Sequence, residues 1–325
     1  MKVRRLTLLL ALSLLFPAAA GAATLGGWNR REQRAVASAG LLGRLADGRF
    51  HGERPLSGAQ LSAALGAVAA QTGQPPVAGS SAATVSVSAF DARMVRQLGL
   101  ADVAAHVDDV ARGAGLHPAK TFGSEIVARF LGLRTNHPAA DETLELYPWE
   151  PITRAEAAHS LAVVLGSRDW AVAGARAQLS AFSLPRYRAR TRAALRLAVS
   201  KIGMPYVWGG ETDGVSPGQA HGGYDCSGFV WRVFTPRRIG GRTAAQMAGQ
   251  IRRSQRIRLE SIRPGDLLFF GSAPFGGKAT ERSIVHVGIA LSEHWMIHSS
   301  AQGVYVSSLD DEWRRDEFAW ARRVL

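Results

Sequence analysis

One cysteine, Cys226, stands in 325 residues, and that scarcity excludes an intramolecular disulfide. The chain also lacks a long apolar run. The stretch 6–16 is too short to span a bilayer comfortably, and no later stretch reads as a transmembrane helix. Clustered metal ligands are missing too. His221 and His294 read as loop residues without spaced partners, and Asp47-Gly48 and Asp213-Gly214 are turn formers outside any calcium-loop spacing, so neither metal nor other cofactor is expected. Charge is one-sided, with 39 Lys plus Arg against 26 Asp plus Glu, a net of +13. The arginines are scattered and no stacking-aromatic motif accompanies them, which argues against nucleic acid and for an anionic surface as partner.

What is present begins with Lys2, Arg4 and Arg5 ahead of the apolar run, followed by Ala20-Gly21-Ala22 as a small-residue cleavage site. This pattern predicts a secretory signal over 1–22 and an exported mature chain without a transmembrane segment, wall-associated or periplasmic. With 46% hydrophobic and 20% charged residues, the length allows two domains with a core each. Over 27–167 the composition turns Ala-, Gly- and Leu-rich, and a weak helical repeat is visible. Its first copy covers 35–70 and a later one 145–165, where Thr153 and Glu156 stand at capping-box spacing; 107–131 reads as a degenerate middle copy. The pattern resembles S-layer-homology repeats, with Thr153-Arg154-Ala155-Glu156 as the best match. That resemblance implies a unit that holds an anionic wall polymer, while an Ala-rich helical spacer fits the same residues.

Residues 168–188, with small residues and Pro185, read as a linker, and 189–325 as the second domain. There 190–202 and 243–251 read as helices, and strands are expected over 266–270, 283–291, 295–298, 303–307 and 318–324. Helices first and an antiparallel sheet after them is an α+β order.

Cys226 follows a Gly-rich loop and opens a helical pattern of Phe229, Val230, Val233 and Phe234 that Pro236 ends. At a helix start, free N–H groups and the positive end of the dipole favour thiolate. A small buried hydrophobe is the plain alternative for a free cysteine. The alternating stretches around His286 and His298 suggest a hairpin through 291–293. Pairing about residue 292 sets the two histidines directly opposite, with Val285, Val287 and Ile289 facing the core and His286, Gly288 and Ala290 on a face open to substrate. A thiol, an imidazole and a second polar group to orient it follow the logic of a catalytic triad.

Gly203-Met204-Pro205-Tyr206-Val207-Trp208-Gly209-Gly210, Asp225-Cys226-Ser227-Gly228-Phe229, Arg263-Pro264-Gly265-Asp266-Leu267-Leu268-Phe269-Phe270 and His286-Val287-Gly288-Ile289 together resemble the NlpC-type, papain-like cell-wall cysteine peptidases over about 189–325. The resemblance implies a papain-like fold and cleavage of an amide bond in peptidoglycan stem peptides, a D-γ-glutamyl-diamino acid bond in particular. It assigns Cys226 as nucleophile, His286 as base, His298 as third polar residue and Tyr206 to the oxyanion side. Asp225 reads either as an N-cap or as a contact for a substrate amino group, and Ser227 as a neighbour in the same cleft. The loop over 211–223 is longer than the family pattern. Two further readings fit the residues: an acyltransferase or amidase on another wall or lipid amide, and an inactive wall-binding protein.

Overall fold

The computed structural model describes residues 28–167, 169–234, 239–271 and 279–325; the expected signal over 1–22 and the helix stop at Pro236 lie outside them. The helical unit contains α1 (Arg30–Ser38), α2 (Gly58–Thr72), α3 (Val87–Gln97), α4 (Ala101–Gly113), α5 (Phe122–Phe130) and α6 (Arg154–Gly166). Three of these helices start alike, with an aliphatic residue followed by a hydroxyl N-cap in extended backbone. Ser57 Oγ accepts from the Gln60 N–H (3.2 Å), Ser86 Oγ from Ala89 (3.3 Å) and Thr153 Oγ1 from Glu156 (3.2 Å). The aliphatic residues ahead of these caps close a ring of backbone bonds. Leu56 N–H donates to Ile152 (2.8 Å), Ile152 N–H to Val85 (2.8 Å) and Val85 N–H to Leu56 (3.1 Å), and all three side chains are buried.

The middle member of this arrangement is therefore Val85-Ser86. The expected middle copy, 107–131, instead supplies the end of α4 and all of α5. What recurs is the aliphatic-hydroxyl step; only the Ser57 start completes a capping box, through Gln60, since the middle start has Ala89 at that position and the Glu156 carboxylate of the last is engaged with Arg134 and His137. Residues 168–188 also depart from expectation. They contain α7 (Asp169–Ser180), with Ala175 and Leu179 buried, and then the buried Phe182 and Tyr187, so the segment is packed against the helical unit and is not a loose linker.

The second unit places α8 (Ala189–Val199), α9 (Cys226–Val233) and the short α10 (Ala244–Ala248) with a five-stranded sheet. Its strands are β3 (Leu267–Phe270), β4 (His286–Ala290), β5 (Trp295–Ser300), β6 (Gly303–Ser308) and β7 (Phe318–Arg322), all antiparallel in the order β6-β5-β4-β3-β7. A two-residue pair, β1 (Glu211–Thr212) with β2 (Gly223–Tyr224), closes the 211–223 loop. Helices and an antiparallel sheet are thus combined as expected. Phe229 and Val230 of α9 share a buried core with Phe269, Val287, Ile289 and Ile297, while Leu268, Phe270, Ala290 and Met296 form a smaller cluster on the other face.

The β4–β5 register corrects the sequence reading. Ile289 pairs with Ile297 and Ala290 with Met296, so the hairpin is centred on residue 293. Leu291 N–H bonds Trp295 O (2.8 Å), which places three residues in the turn. His286 and His298 are therefore diagonal neighbours. A shift of two positions preserves side-chain parity, so they still share a face. That face is not the open floor expected, since Ala290 and Met296 cover it with apolar packing, and Val285, expected in the core, is 75% exposed.

The units are bonded to each other close to the Gly-rich loop. Arg129 donates to Gly203 O (3.0 Å) and to Gln302 O, the Asn136 N–H to Ala301 O (2.8 Å), Asn136 Nδ2 to Tyr206 O (2.8 Å), and the Tyr147 hydroxyl to Asp213 O (2.7 Å).

Candidate active site

Asp225 caps α9, its Oδ1 accepting from the Gly228 N–H, and this fixes Cys226 as the first helical residue. Gly228 is required by close approach, because a Cβ there would lie 1.9 Å from Gly210 O; the bare backbone lets the Gly-rich loop lie on the helix start. Cys226 is 9% exposed. Burial, with the Asp225 carboxylate adding to it, pushes the thiol up to about 11, while the N–H groups of Val287 and Ser227 and the charge of Arg242 pull the other way. The helix start thus supplies the anticipated dipoles, but they do not outweigh desolvation.

His286 opens β4, the strand against which α9 packs. Its Nε2 lies 2.8 Å from His298 Nδ1, and His298 Nε2 lies 2.9 Å from Ser307 Oγ. The diagonal register is bridged by the length of the two rings, and Gly288, opposite His298, leaves space for them. Burial lowers both imidazoles, His286 to about 3, with the nearby Arg314 charge reinforcing the effect. Both shifts favour the neutral thiol and the neutral imidazole, whereas the helix start was expected to favour thiolate. Arg314 Nη2, which can only donate, also lies 3.3 Å from His298 Nε2, so at rest His298 accepts there and its Nδ1–H donates to His286 Nε2. The tautomer with His286 Nδ1 free as a base is the alternative one, in which His286 Nε2–H donates to His298 Nδ1 and His298 Nε2–H to the Ser307 hydroxyl. Ser307 had no motif to mark it; only strand pairing brings it to His298.

Asp225 and Ser227 are engaged within the protein. Asp225 Oδ2 accepts from the Gly209 N–H (3.0 Å), and Ser227 Oγ donates to Asp225 Oδ1 (3.0 Å). Arg242, which the sequence reading passed over, binds both. Its Nη1 reaches Asp225 Oδ1 (3.0 Å) and Ser227 Oγ (2.9 Å), its Nη2 reaches Gly209 O (2.8 Å) and Asp225 Oδ2 (3.1 Å), and its Nε reaches Glu211 (2.9 Å). Of the two roles open to Asp225, the structure shows the N-cap, and the expected open substrate contact of Asp225 and Ser227 is closed off at rest by these bonds.

Tyr206 is half-buried and its hydroxyl is raised above its ordinary range by burial and by the nearby Cys226 and Asp225. With Trp208 it forms one wall of a cavity of about 350 Å³ whose other wall is His137, Ala139, Glu142 and Glu145 of the helical unit. The 211–223 loop is held beside it by Lys201 Nζ to Asp213 (2.5 Å) and by the Ala220 N–H to Glu142 (3.0 Å). Among the described residues no His, Cys, Asp and Glu cluster could hold a metal ion.

A thiol at the start of a helix packed on β4 and β5, the strands that carry the linked imidazole pair, is an arrangement suited to nucleophilic chemistry. The NlpC/P60 family profile matches residues 203–323. A probable endopeptidase of Haemophilus influenzae is 34% identical over 125 residues, spanning 38% of this chain and 67% of that protein. The chain belongs to the NlpC/P60 family. LytE, a probable peptidoglycan endopeptidase of Bacillus subtilis, is 32% identical over 126 residues, spanning 39% of this chain and 32% of that one. A solved NlpC/P60 family protein of Bacillus cereus is 25% identical, with a TM-score of 0.34 over 44% of this chain and 42% of that chain. The chain spans about a third or less of the length of the first curated relatives it matches.

Proposed function

We propose that the protein is an exported cell-wall hydrolase that cuts an amide bond in peptidoglycan stem peptides, between the D-γ-glutamyl residue and the diamino acid after it. Cys226 is the nucleophile, His286 the base and His298 the group that orients it. The observation that carries this reading is the hydrogen-bonded imidazole pair, 2.8 Å apart, on β4 and β5, the strands against which the helix opened by the lone thiol packs. The relatives named as endopeptidases support the same reaction class.

Because both groups are neutral at rest, proton transfer accompanies attack. In the tautomer that leaves it free, His286 Nδ1 takes the thiol proton as sulfur adds to the scissile carbonyl, and the oxyanion is met by N–H groups at the start of α9 with Tyr206 alongside. Collapse returns the proton from His286 to the departing amine and leaves a thioester on Cys226. Water, deprotonated by His286, then adds to the thioester carbonyl, releasing the carboxylate and restoring the thiol. No step calls for a metal.

The helical unit acts on this reading as one wall of the cleft and as a wall-retention module. Arg154, the basic residue of the repeat signature, is not its polymer contact: it is buried, donates to Phe50 O (2.8 Å) and Gly43 O (2.5 Å), and stacks on Phe50. Mass spectrometry of fragments released from purified sacculi tests the proposal. Fragments ending in D-glutamate, formed equally in chelator, are expected; intact stem peptides after prolonged incubation, or products transferred to an added amine in preference to water, would overturn it.

A further inference from the structure

At the opposite end of β3 from His286 the surface folds into a concavity of about 650 Å³ between the segment leading into α8 and the turn before β3. Five arginines line it: Arg186, Arg188, Arg190, Arg263 and Arg323. Asp266 is the carboxylate among its lining side chains, and it is 1% exposed and already engaged. Its Oδ1 accepts from Arg323 Nε (2.9 Å), and its Oδ2 from Arg323 Nη2 (2.8 Å) and from the Arg263 N–H (2.8 Å). The guanidinium groups of Arg186, Arg188, Arg190 and Arg263 have no carboxylate partner among the described residues. The floor is rigid, because the Tyr187 hydroxyl is bonded to Leu291 O (3.0 Å) and Pro185 and Pro264 flank it. Four exposed guanidinium groups lining one hollow give it a positive potential that favours an anion there. Guanidinium is also the group best matched to phosphate oxygens, through paired N–H donors.

We propose that this concavity binds a polyanion bearing closely spaced phosphates, as in a phosphodiester wall polymer, and so retains the enzyme on its matrix without touching the reacting atoms. Four residue steps, about 13 Å, separate Asp266 from Phe270, the partner of His286, so the hollow lies at the far end of β3 from His286. The claim does not depend on the peptidase reading.

The test uses the full mature chain with long-chain inorganic polyphosphate as probe, followed by fluorescence anisotropy across a salt series. Wild type is expected to bind and to weaken steeply with added salt. Replacing Arg186, Arg188, Arg190 and Arg263 together by Gln should weaken binding at least tenfold. As a charge-matched control, four exposed arginines scattered outside this hollow and outside a second arginine-lined one on the helical unit, Arg54, Arg96, Arg253 and Arg282, are replaced by Gln and should change affinity less than threefold. The same four positions replaced by Lys keep the charge and should recover only part of the affinity, which covers the case of a Gln variant that fails to fold. Equal loss in variant and control would reduce the effect to net charge and overturn the site. So would undiminished binding in the Gln variant. Binding to vesicles of phosphatidylglycerol in phosphatidylcholine that exceeds polyphosphate binding and needs the same arginines would transfer the site to a membrane and overturn the polymer assignment.

Discussion

The buried polar network at the centre of the helical unit differs in kind from the one at the candidate site of the sheet unit. In the helical unit the buried groups are charged and mutually neutralised: Arg134 lies 3.3 Å from both Asp91 and Glu156, Arg129 lies 3.3 Å from Glu125, and His137 lies 2.9 Å from Glu156. In the sheet unit the imidazoles of His286 and His298 and the Ser307 hydroxyl form an uncharged chain, and the buried Cys226 thiol sits at the start of the helix packed on β4, the strand that carries His286. Burial alone therefore does not mark chemistry. A network whose charges cancel inside the fold resists change, whereas a neutral relay whose alternative tautomer frees a basic nitrogen at one end can gain or lose a proton when a substrate arrives.

Breaking the relay should give the largest effects. Cys226→Ala should abolish fragment release while shifting the thermal midpoint by no more than a few degrees, since it removes one sulfur at a helix end. His286→Gln should fall about 10²–10⁴-fold, the usual range for a general base. His298→Gln should retain more activity than His286→Gln, because an amide oxygen still accepts from His286 Nε2–H, with His298→Ala between them. The neutral resting pair adds a second readout: alkylation of Cys226 should climb from about pH 9 toward 11 with no plateau near neutrality. A plateau at pH 6–7, or a reversed order of the two histidines, would refute the relay.

Arg242 sharpens the comparison, since it is a charged group serving the uncharged site. It acts through Asp225 and the Gly209 carbonyl, so it is a positioning residue. Losing its fork should cost about 1.5–3 kcal/mol of transition-state positioning, roughly ten- to a hundredfold in kcat/KM, for Arg242→Gln. Arg242→Lys, which keeps charge without the fork geometry, should recover only part of that. The loss should fall mainly on kcat. A change confined to KM would instead place the arginine in substrate binding.

The legible parts of the molecule are those where chemistry is written locally. Cys226 after an Asp cap and before an apolar helix, and His286 and His298 in alternating stretches, are short-range patterns, and they led to the site. The register was misjudged by one turn residue, since alternation fixes which face a side chain takes but not how many of Ser292, Glu293 and His294 lie in the turn. Arg242 and Ser307 escaped because loop docking and strand pairing alone bring them to the site. The helix α7 was hidden by its small residues, and the ring of Leu56, Val85 and Ile152 by the missing acid or amide at Ala89.

The smallest expected effect concerns pH, where the two units should respond in opposite directions. Burial disfavours charge on His137, but hydrogen bonds to Glu145 and Glu156 outweigh it and raise its pKa to about 9. That contribution is fully present below its ordinary value of 6.5 and is lost as pH rises through 9. Burial likewise raises Asp91 to about 7, which also removes stability as pH rises through that value. In the sheet unit the sign is reversed. His286 is depressed to about 3, so the unfolded chain binds a proton that the native site refuses, and stability is lost as pH falls from 6.5 toward 3. Between about pH 4 and 6.5 Asp91 and His286 act in opposite directions and largely cancel, so the thermal midpoint should stay nearly level there and decline by several degrees from pH 6.5 to 9. His137→Gln should lower the midpoint at pH 6.5 and flatten the alkaline decline, and His286→Gln, which leaves Asp91 unopposed, should make the midpoint fall as pH rises from about 4 to 6.5. If neither variant changes the profile, the contrast between a charged helical unit and a neutral sheet site does not control the stability of this protein.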